Sequence, residues 1–179
     1  MKVLADETQI ATLMDRLAKE FGAEVEASDA PWAIVGIRSR GDVLAQRLAR
    51  RVKVEYSGNV DIALYRDDLS EVGPQPIVRT TEIDFPIDGV NILLVDDVLM
   101  TGRSVRAAIQ SLIDFGRPRK IKLMVLVDRG GRELPIAPDY VGQRVNTEPD
   151  QLVEVRITPT DPDDEIVMFK RPRKAEGRP

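Results

Sequence analysis

The chain has 179 residues, 42% of them hydrophobic and 31% charged, and a net charge of −4, a composition typical of a soluble protein with one domain. It contains neither cysteine nor histidine, so disulfides, thiolate zinc sites, imidazole bases and Ser-His-Asp triads are excluded. The N-terminus lacks a signal-peptide pattern and no apolar run approaches membrane-spanning length, so we expect a cytoplasmic protein with no membrane partner.

In the first part of the chain, the pattern of apolar residues predicts helices that alternate with strands. The first helix is amphipathic, with a capping box at Asp6 and Gln9 and with Gly22 just beyond its last apolar residue. The polar stretch from 66 to about 80 has no periodicity, and a long irregular segment in a compact domain is typical of a functional lid. The predicted elements are a helix over 6–21, a strand over 32–37, a helix over 42–52 and a strand over 60–65.

Residues 92–104 combine a strand, two carboxylates, a small-residue turn and a helix start. Ile92–Val95 is predicted as a buried parallel strand that ends at Asp96 and Asp97. The turn Thr101-Gly-Arg-Ser104 directly precedes a helical pattern. Its backbone N–H groups, its two hydroxyls and the positive helix end can hold a phosphate. Since the carboxylates can accept hydrogen bonds from ribose hydroxyls, the pattern predicts a site for a phosphorylated sugar.

In the last part of the chain, the sequence predicts one more core strand and a smaller group of strands beside the main sheet. Residues 121–127 form a buried strand that ends at Asp128-Arg129-Gly-Gly. Three short segments then predict a small antiparallel addition, a hood, beside the main sheet: 140–145, 152–157 and 165–169. We therefore expect an α/β domain over 1–170 with an open, mainly parallel sheet, a hood over about 130–170, and a disordered basic tail over 171–179.

Several segments also carry a family resemblance. The run Val95-Asp-Asp-x-x-x-Thr-Gly-x-Ser104 resembles the phosphoribosyl-pyrophosphate (PRPP) signature of type I phosphoribosyltransferases. Together with 35–41, 61–70, 103–108 and 127–136, it resembles the PyrR family of pyrimidine operon regulators, which are also uracil phosphoribosyltransferases. The resemblance covers roughly residues 5–170. It implies an open twisted sheet flanked by helices, with a small C-terminal antiparallel hood.

The resemblance implies an enzyme that joins uracil to PRPP and gives UMP and pyrophosphate. Mg²⁺ would be held mainly through the substrate's phosphates and ribose, with Asp96 and Asp97 nearby. Such a displacement needs positioning, electrostatic stabilisation and exclusion of water, but no side-chain nucleophile. The implied PRPP-binding residues are Asp96, Asp97, Val98, Met100, Thr101, Gly102, Arg103 and Ser104.

Other parts of the site are also implied by the resemblance. A cis non-proline peptide is expected near Arg38–Ser39, and Met100 stands where family members often carry an aromatic residue. The implied pyrophosphate-binding residues are Arg38, Ser39, Arg40 and Gly41. The implied lid residues are Arg66, Asp67, Asp68 and Arg79. The implied base-binding residues are Arg129, Tyr140, Val141 and Val153.

A second implied function is regulation, in which UMP or UTP controls binding to pyrimidine operon leader mRNA and causes transcriptional attenuation. The family carries basic residues or histidine at the positions of Gly131, Ala137 and Gln143, where this chain is neutral. Three interpretations stay open: both functions, a UMP-sensing regulator with little physiological catalysis, or catalysis without RNA binding. The resemblance also implies a homodimer or larger homo-oligomer. The candidate RNA-binding residues are Arg16, Lys19, Arg132 and Arg144.

Alternative interpretations exist for some of these residues. Receiver domains also run an apolar strand into an Asp-Asp pair that binds Mg²⁺, and Asp128 could take the place of their phosphoacceptor. In receiver domains, however, that strand starts the chain, whereas about ninety residues precede it here. Arg38 and Arg40 could be solvated loop charges, and Tyr140 could be core packing rather than a base-stacking ring.

Overall fold

The computed structural model describes residues 1–63 and 81–172. The expected lid residues Arg66, Asp67, Asp68 and Arg79 and most of the expected tail lie outside these ranges. The helices are α1 (Glu7–Glu26), α2 (Arg40–Ala49) and α3 (Arg103–Phe115). The strands are β1 (Lys2–Ala5), β2 (Trp32–Ile37), β3 (Tyr56–Val60), β4 (Asn91–Leu99), β5 (Lys120–Asp128), β6 (Tyr140–Arg144), β7 (Gln151–Arg156) and β8 (Glu165–Lys170). Within the described ranges, no helix is long and apolar enough to cross a bilayer.

The main sheet has five parallel strands in the order β3-β2-β4-β5-β6. Alternate side chains of its central strands point to opposite faces. On one face Ile34 and Leu93 pack with α1 and α2, and on the other Val35 and Leu94 pack with α3. Because helices cover both faces, β2 and β4 are apolar throughout the sheet centre, which confirms the predicted α/β fold.

The first two helices have boundaries that differ from the prediction. The capping box of α1 is confirmed, because Asp6 Oδ1 accepts from Gln9 N at 2.9 Å and Gln9 Oε1 accepts from Asp6 N at 2.9 Å. The helix nevertheless continues past Gly22 to Glu26, since its last turn packs Val25 against the core. Helix α2 begins at residue 40 rather than 42 and ends at 49 rather than 52.

Three strand predictions were wrong, each because pairing overrode local pattern. Strand β3 ends at Val60, whose partner in β2 is Ile37, so the strand predicted over 60–65 lies largely beyond it. Strand β4 runs past the carboxylates to Leu99, because its pairing with β5 continues to Asp128. The segment 140–145 belongs to the main sheet as β6, parallel to β5, and not to the hood.

The hood is a three-stranded antiparallel sheet in the order β1-β8-β7. Strands β7 and β8 confirm the prediction, while the third strand, β1, comes from the N-terminus and had no predicted counterpart. Val155, Ile157 and Ile166 are fully buried and join the core beneath α1 and α2. This packing holds the hood against the helix-covered sheet.

Candidate active site

Two turns meet at the carboxyl edge of the main sheet. Strand β2 leads into residues 38–41, and its neighbour β4, which carries Asp96 and Asp97, leads into residues 100–104. The first turn touches strand β4 at Gly41, where a Cβ atom would lie 2.6 Å from the Val95 carbonyl oxygen and 3.1 Å from Asp96 Cα. Only a glycine permits this approach. The edge therefore brings together two segments predicted separately, at the position where open α/β sheets bind ligands.

The phosphate turn, Thr101–Ser104, is the N-terminus of α3. Gly102 has a φ of 89° and caps the helix without a side chain, while Thr101 Oγ1 accepts from Arg103 N at 3.2 Å. Ser104 lies half-buried in the first helical turn. Amide groups at a helix N-terminus have no intrahelical acceptor, and they form the positive end of the helix dipole. The turn thus has the donors and the polarity to hold a phosphate.

A neighbouring loop supports the phosphate turn. The carbonyl oxygen of Thr101 accepts from the amides of Glu133 and Leu134 at 3.0 and 3.2 Å. The Arg103 guanidinium, half-exposed, pairs with the Glu133 carboxylate at 2.8 Å. A Cβ atom on Gly102 would lie 3.0 Å from Ile136 Cγ1. The turn therefore has a fixed shape that packing from residues 133–136 maintains.

The acidic pair, Asp96 and Asp97, lies within β4 between the two turns. Asp96 is 7% exposed, and its Oδ1 accepts from Asp97 N at 2.9 Å. Asp97 Oδ1 accepts from Val98 N at 2.8 Å. Burial raises the pKa of Asp97, although the Asp96 hydrogen bond, the Val98 amide and the Arg40 charge oppose it. A ligand that brings hydroxyl donors or a cation would stabilise the ionised pair.

The 38–41 turn is also a helix N-terminus. Its Arg38–Ser39 peptide is cis, as the resemblance implied. Ser39 is the N-cap residue of α2, and the helix starts at Arg40. Since the first amides of α2 lack intrahelical acceptors, they form a second set of anion donors beside the acidic pair. Because the sequence pattern indicated a helix start at Asp42, two residues later, this second helix dipole was not predicted.

Both arginines of that turn are paired with acidic or amide side chains. Arg38 donates from Nε to Asn59 Oδ1 at 2.7 Å and lies 3.2 Å from Glu82. Arg40 forms a two-pronged pair with Asp161 in the hood, at 2.9 and 2.8 Å. The Asp161 hydrogen bond raises the pKa of Arg40, and the same bond lowers the pKa of Asp161. The sequence carried no signal for Asp161, one of several acids in a hood turn.

Arg129 links three parts of the site. Its guanidinium contacts Met100 Sδ at 2.8 Å and donates to Thr147 Oγ1 at 3.1 Å and to the Gln151 carbonyl at 3.3 Å. Burial lowers the pKa of Arg129, and its Nε atom is buried without a hydrogen-bond partner among the described residues. Val153 lies in the same hood strand, two residues beyond Gln151. Because Nε is closed to solvent, a ligand atom can bond to it only after the neighbouring side chains move.

Tyr140 and Val141 lie away from these groups. Tyr140 pairs in the sheet with Met124, four residues before the end of β5, which corresponds to about 13 Å along the strand. Its ring packs edge-on against Phe21 at 5.9 Å and its hydroxyl donates to Glu24. Val141 packs in the core beneath α3. The structure thus places Tyr140 against the core and below the carboxyl edge, because β6 starts before that edge is reached.

The four candidate RNA-binding residues differ in their availability. Arg132 donates to the Ile136 carbonyl at 2.9 Å, the Met100 carbonyl at 3.0 Å and Asp128 at 2.8 Å, so it ties the loops together. The half-exposed Arg16 side chain donates to the Val141 carbonyl at 3.1 Å and to the Gly142 carbonyl. Lys19 is exposed on α1, and the side chain of Arg144 is 74% exposed at the end of β6.

Comparisons with known proteins agree with this geometry. Residues 2–160 match the family described as the phosphoribosyl transferase domain. The chain is 44% identical to the "Bifunctional protein PyrR" of Elusimicrobium minutum over 94% of this chain and 96% of that protein. It is 48% identical to the protein of the same name from Thermus thermophilus, covering 87% and 88%. The fold resembles the hypoxanthine phosphoribosyltransferase of Trypanosoma cruzi, with a TM-score of 0.72, 20% identity and coverage of 96% and 98%.

Proposed function

We propose that this chain, which belongs to the phosphoribosyltransferase family and within it to the bifunctional PyrR proteins, transfers phosphoribosyl from PRPP to uracil and releases pyrophosphate. One observation carries the proposal. Two helix N-termini flank the acidic pair at one edge of the sheet, and Gly41 lets the start of α2 lie directly against β4 at Val95 and Asp96. PRPP has two anionic groups on either side of a ribose, which is the arrangement that these three features fit.

Each feature has one part of the substrate to hold. The phosphate turn would bind the 5′-phosphate, with the hydroxyls of Thr101 and Ser104 as further donors. Asp96 and Asp97 would accept hydrogen bonds from the ribose hydroxyls. The first amides of α2 would bind the pyrophosphate through Ser39, Arg40 and Gly41. Charge-assisted hydrogen bonds of this kind are short and strong.

The reaction requires little beyond this positioning. Breaking the C1′–oxygen bond builds positive charge on the ribose ring and negative charge on the leaving pyrophosphate. Helix dipoles and guanidinium groups that are already oriented stabilise the leaving group without reorganisation. Mg²⁺, when bound with PRPP, neutralises phosphate charge, and Asp96 and Asp97 are hard oxygen donors that suit a minor role in holding it. The chain's lack of histidine is therefore no obstacle to catalysis.

Base recognition would fall to Arg129 and the hood. The Arg129 guanidinium lies between the Met100 side chain and the hood, and its terminal N–H groups are donors that suit the two carbonyl oxygens of uracil. The backbone near Val153 lies beside it in β7. Tyr140 and Val141 have no part in this proposal because they lie below the edge.

The test is release of pyrophosphate from PRPP and Mg²⁺ with uracil, orotate, hypoxanthine or adenine as the acceptor. We expect turnover with uracil, and loss of at least about 100-fold in kcat/KM for Asp97→Asn, because an interaction with a charged partner in a desolvated site is removed. Glu26→Gln, an exposed change at the end of α1 on the side where β2 starts, opposite the carboxyl edge, is the matched control. Preference for a purine would refute the assignment of uracil.

A regulatory function is also supported, since the relatives are named bifunctional proteins. We propose binding of pyrimidine operon leader mRNA that UMP or UTP enhances, by a cytoplasmic homodimer or larger homo-oligomer. Lys19 and Arg144 are the exposed candidates, with Arg16 beside them on α1. Filter binding to the leader RNA with and without UMP tests this function. Affinity that depends on neither salt nor nucleotide would refute the regulatory function, and catalysis would be the one function that remains.

A further inference from the structure

We infer that Asp161, in the turn between β7 and β8, is a positioning residue that fixes the Arg40 guanidinium at the pyrophosphate-binding turn. The inference rests on the proposed function of that turn. Arg40 Nε and Nη2 donate to the two oxygens of Asp161 at 2.9 and 2.8 Å. The two side chains are only 30% and 14% exposed. Such a two-pronged pair defines the plane of the guanidinium as well as its position.

Asp161 is itself immobilised by its own turn. Its Oδ2 accepts from the Ile157 amide at 2.9 Å, and its own amide donates to the Ile157 carbonyl at 2.9 Å. Ile157 is fully buried in the core that joins the hood to the helices. Since the carboxylate is anchored to the core through Ile157, the long Arg40 side chain is the partner whose freedom is removed. An arginine held in one orientation loses less entropy when it binds an anion.

The orientation matters because of what surrounds Arg40. The residue starts α2, directly after the cis peptide, and precedes Gly41, which touches the strand of the acidic pair. Its charge opposes the rise that burial causes in the pKa of Asp97, so the guanidinium lies within electrostatic reach of that carboxylate. The pair with Asp161 engages Nε and Nη2, which leaves the N–H groups of Nη1 as donors for a diphosphate oxygen.

The same hood turn supplies a matched control. Asp164 pairs with Arg47 on α2, and its Oδ1 accepts from the Thr158 amide at 2.8 Å. Arg47 also donates to the Thr158 carbonyl at 2.9 Å. Both carboxylates therefore join the β7–β8 turn to α2, but of the two only Asp161 does so at the 38–41 turn. A role limited to holding the hood in place would affect both residues alike.

The experiment compares Asp161→Asn with Asp164→Asn in both directions of the reaction. For Asp161→Asn we expect the KM values of PRPP and of pyrophosphate to rise about tenfold, which is the factor that one hydrogen bond to a charged group contributes. The Kd of UMP, which lacks the pyrophosphate, and the KM of uracil should stay within about twofold. Asp164→Asn should lower the melting temperature and leave all four constants near wild type, because its contacts are only structural.

A double variant tests whether Asp161 acts through Arg40. Arg40→Lys keeps the charge but not the two-pronged geometry, and adding Asp161→Asn to it should raise the KM of PRPP no further. Additive effects, equal changes in Asp161→Asn and Asp164→Asn, or a parallel loss of UMP affinity would each overturn the inference. If Asp161→Asn does not fold, Asp161→Glu must show the PRPP-specific increase instead, and wild-type KM values in that variant refute it. Lack of turnover in the wild-type protein would instead refute the proposed function.

Discussion

Replacing Gly41 by alanine tests whether the close contact between the 38–41 turn and strand β4 matters for activity. The added Cβ atom would lie 2.6 Å from the Val95 carbonyl oxygen, 3.1 Å from Asp96 Cα and 3.4 Å from Asp96 Oδ1. Two of these three neighbours are backbone atoms of the central strand, which cannot rotate away. The start of α2 must therefore move away from β4 by about 0.9 Å to reach an ordinary contact distance of roughly 3.5 Å.

The size of the effect follows from that displacement. Overpacking of a close contact costs about 1–3 kcal/mol, and the better helix propensity of alanine offsets about 1 kcal/mol of it. We therefore expect Gly41→Ala to lose about 0–2 kcal/mol in the free energy of unfolding. The effect on activity should be larger, because a misplacement of about 1 Å between positioned groups costs about 100-fold in rate. We expect a loss of about 30- to 100-fold in kcat/KM for PRPP.

The measurement combines urea unfolding with initial-rate kinetics, and Gly22→Ala is the control. Gly22 lies inside α1, and its added Cβ would meet only Val52 Cγ2, at 3.9 Å. That variant should gain about 0.5–1 kcal/mol in the free energy of unfolding and keep wild-type kinetics. Wild-type kcat/KM in Gly41→Ala, or equal changes in the two variants, would refute the reasoning that the close approach sets the geometry of the site.

Further predictions concern pH, packing and RNA. Although burial opposes their ionisation, hydrogen bonds hold the pKa values of Asp164 and Glu24 at about 2, below the ordinary 3.8 and 4.5. Their stabilisation is therefore complete above about pH 5 and is lost as the pH falls toward 2, so urea midpoints should fall across that range, and a flat profile would contradict this. Tyr140→Phe removes the hydroxyl bonded to Glu24 and should cost about 1 kcal/mol in the free energy of unfolding; a changed KM for uracil would contradict its placement in the core. Arg144→Gln should reduce the salt dependence of RNA binding by about one ion. Arg132→Gln should instead lower the melting temperature, because the Arg132 guanidinium joins the Met100 carbonyl to Asp128.

Local patterns predicted the elements whose conformation depends on near neighbours. The capping box at Asp6 is an example, because both of its hydrogen bonds join residues three apart in the chain. The apolar core of β4 and the glycine-containing turn before α3 were also apparent from the sequence. The strand predictions that were wrong share a different cause. Tyr140 and its neighbours have the alternation of an edge strand, and nothing local says whether such a strand pairs with β5 or with β7.

The amino-acid sequence by itself determined the class of fold and the chemistry of the phosphate turn, since a strand, an acidic pair, a glycine and a helix start are adjacent in the chain. Only the tertiary structure decided which distant residues complete the site. Asp161 reaches Arg40 across 121 residues, and Arg129 reaches the hood through Thr147 and Gln151. The physical reason is that hydrogen bonds and close packing between segments depend on strand order and register, and local residue patterns do not encode these.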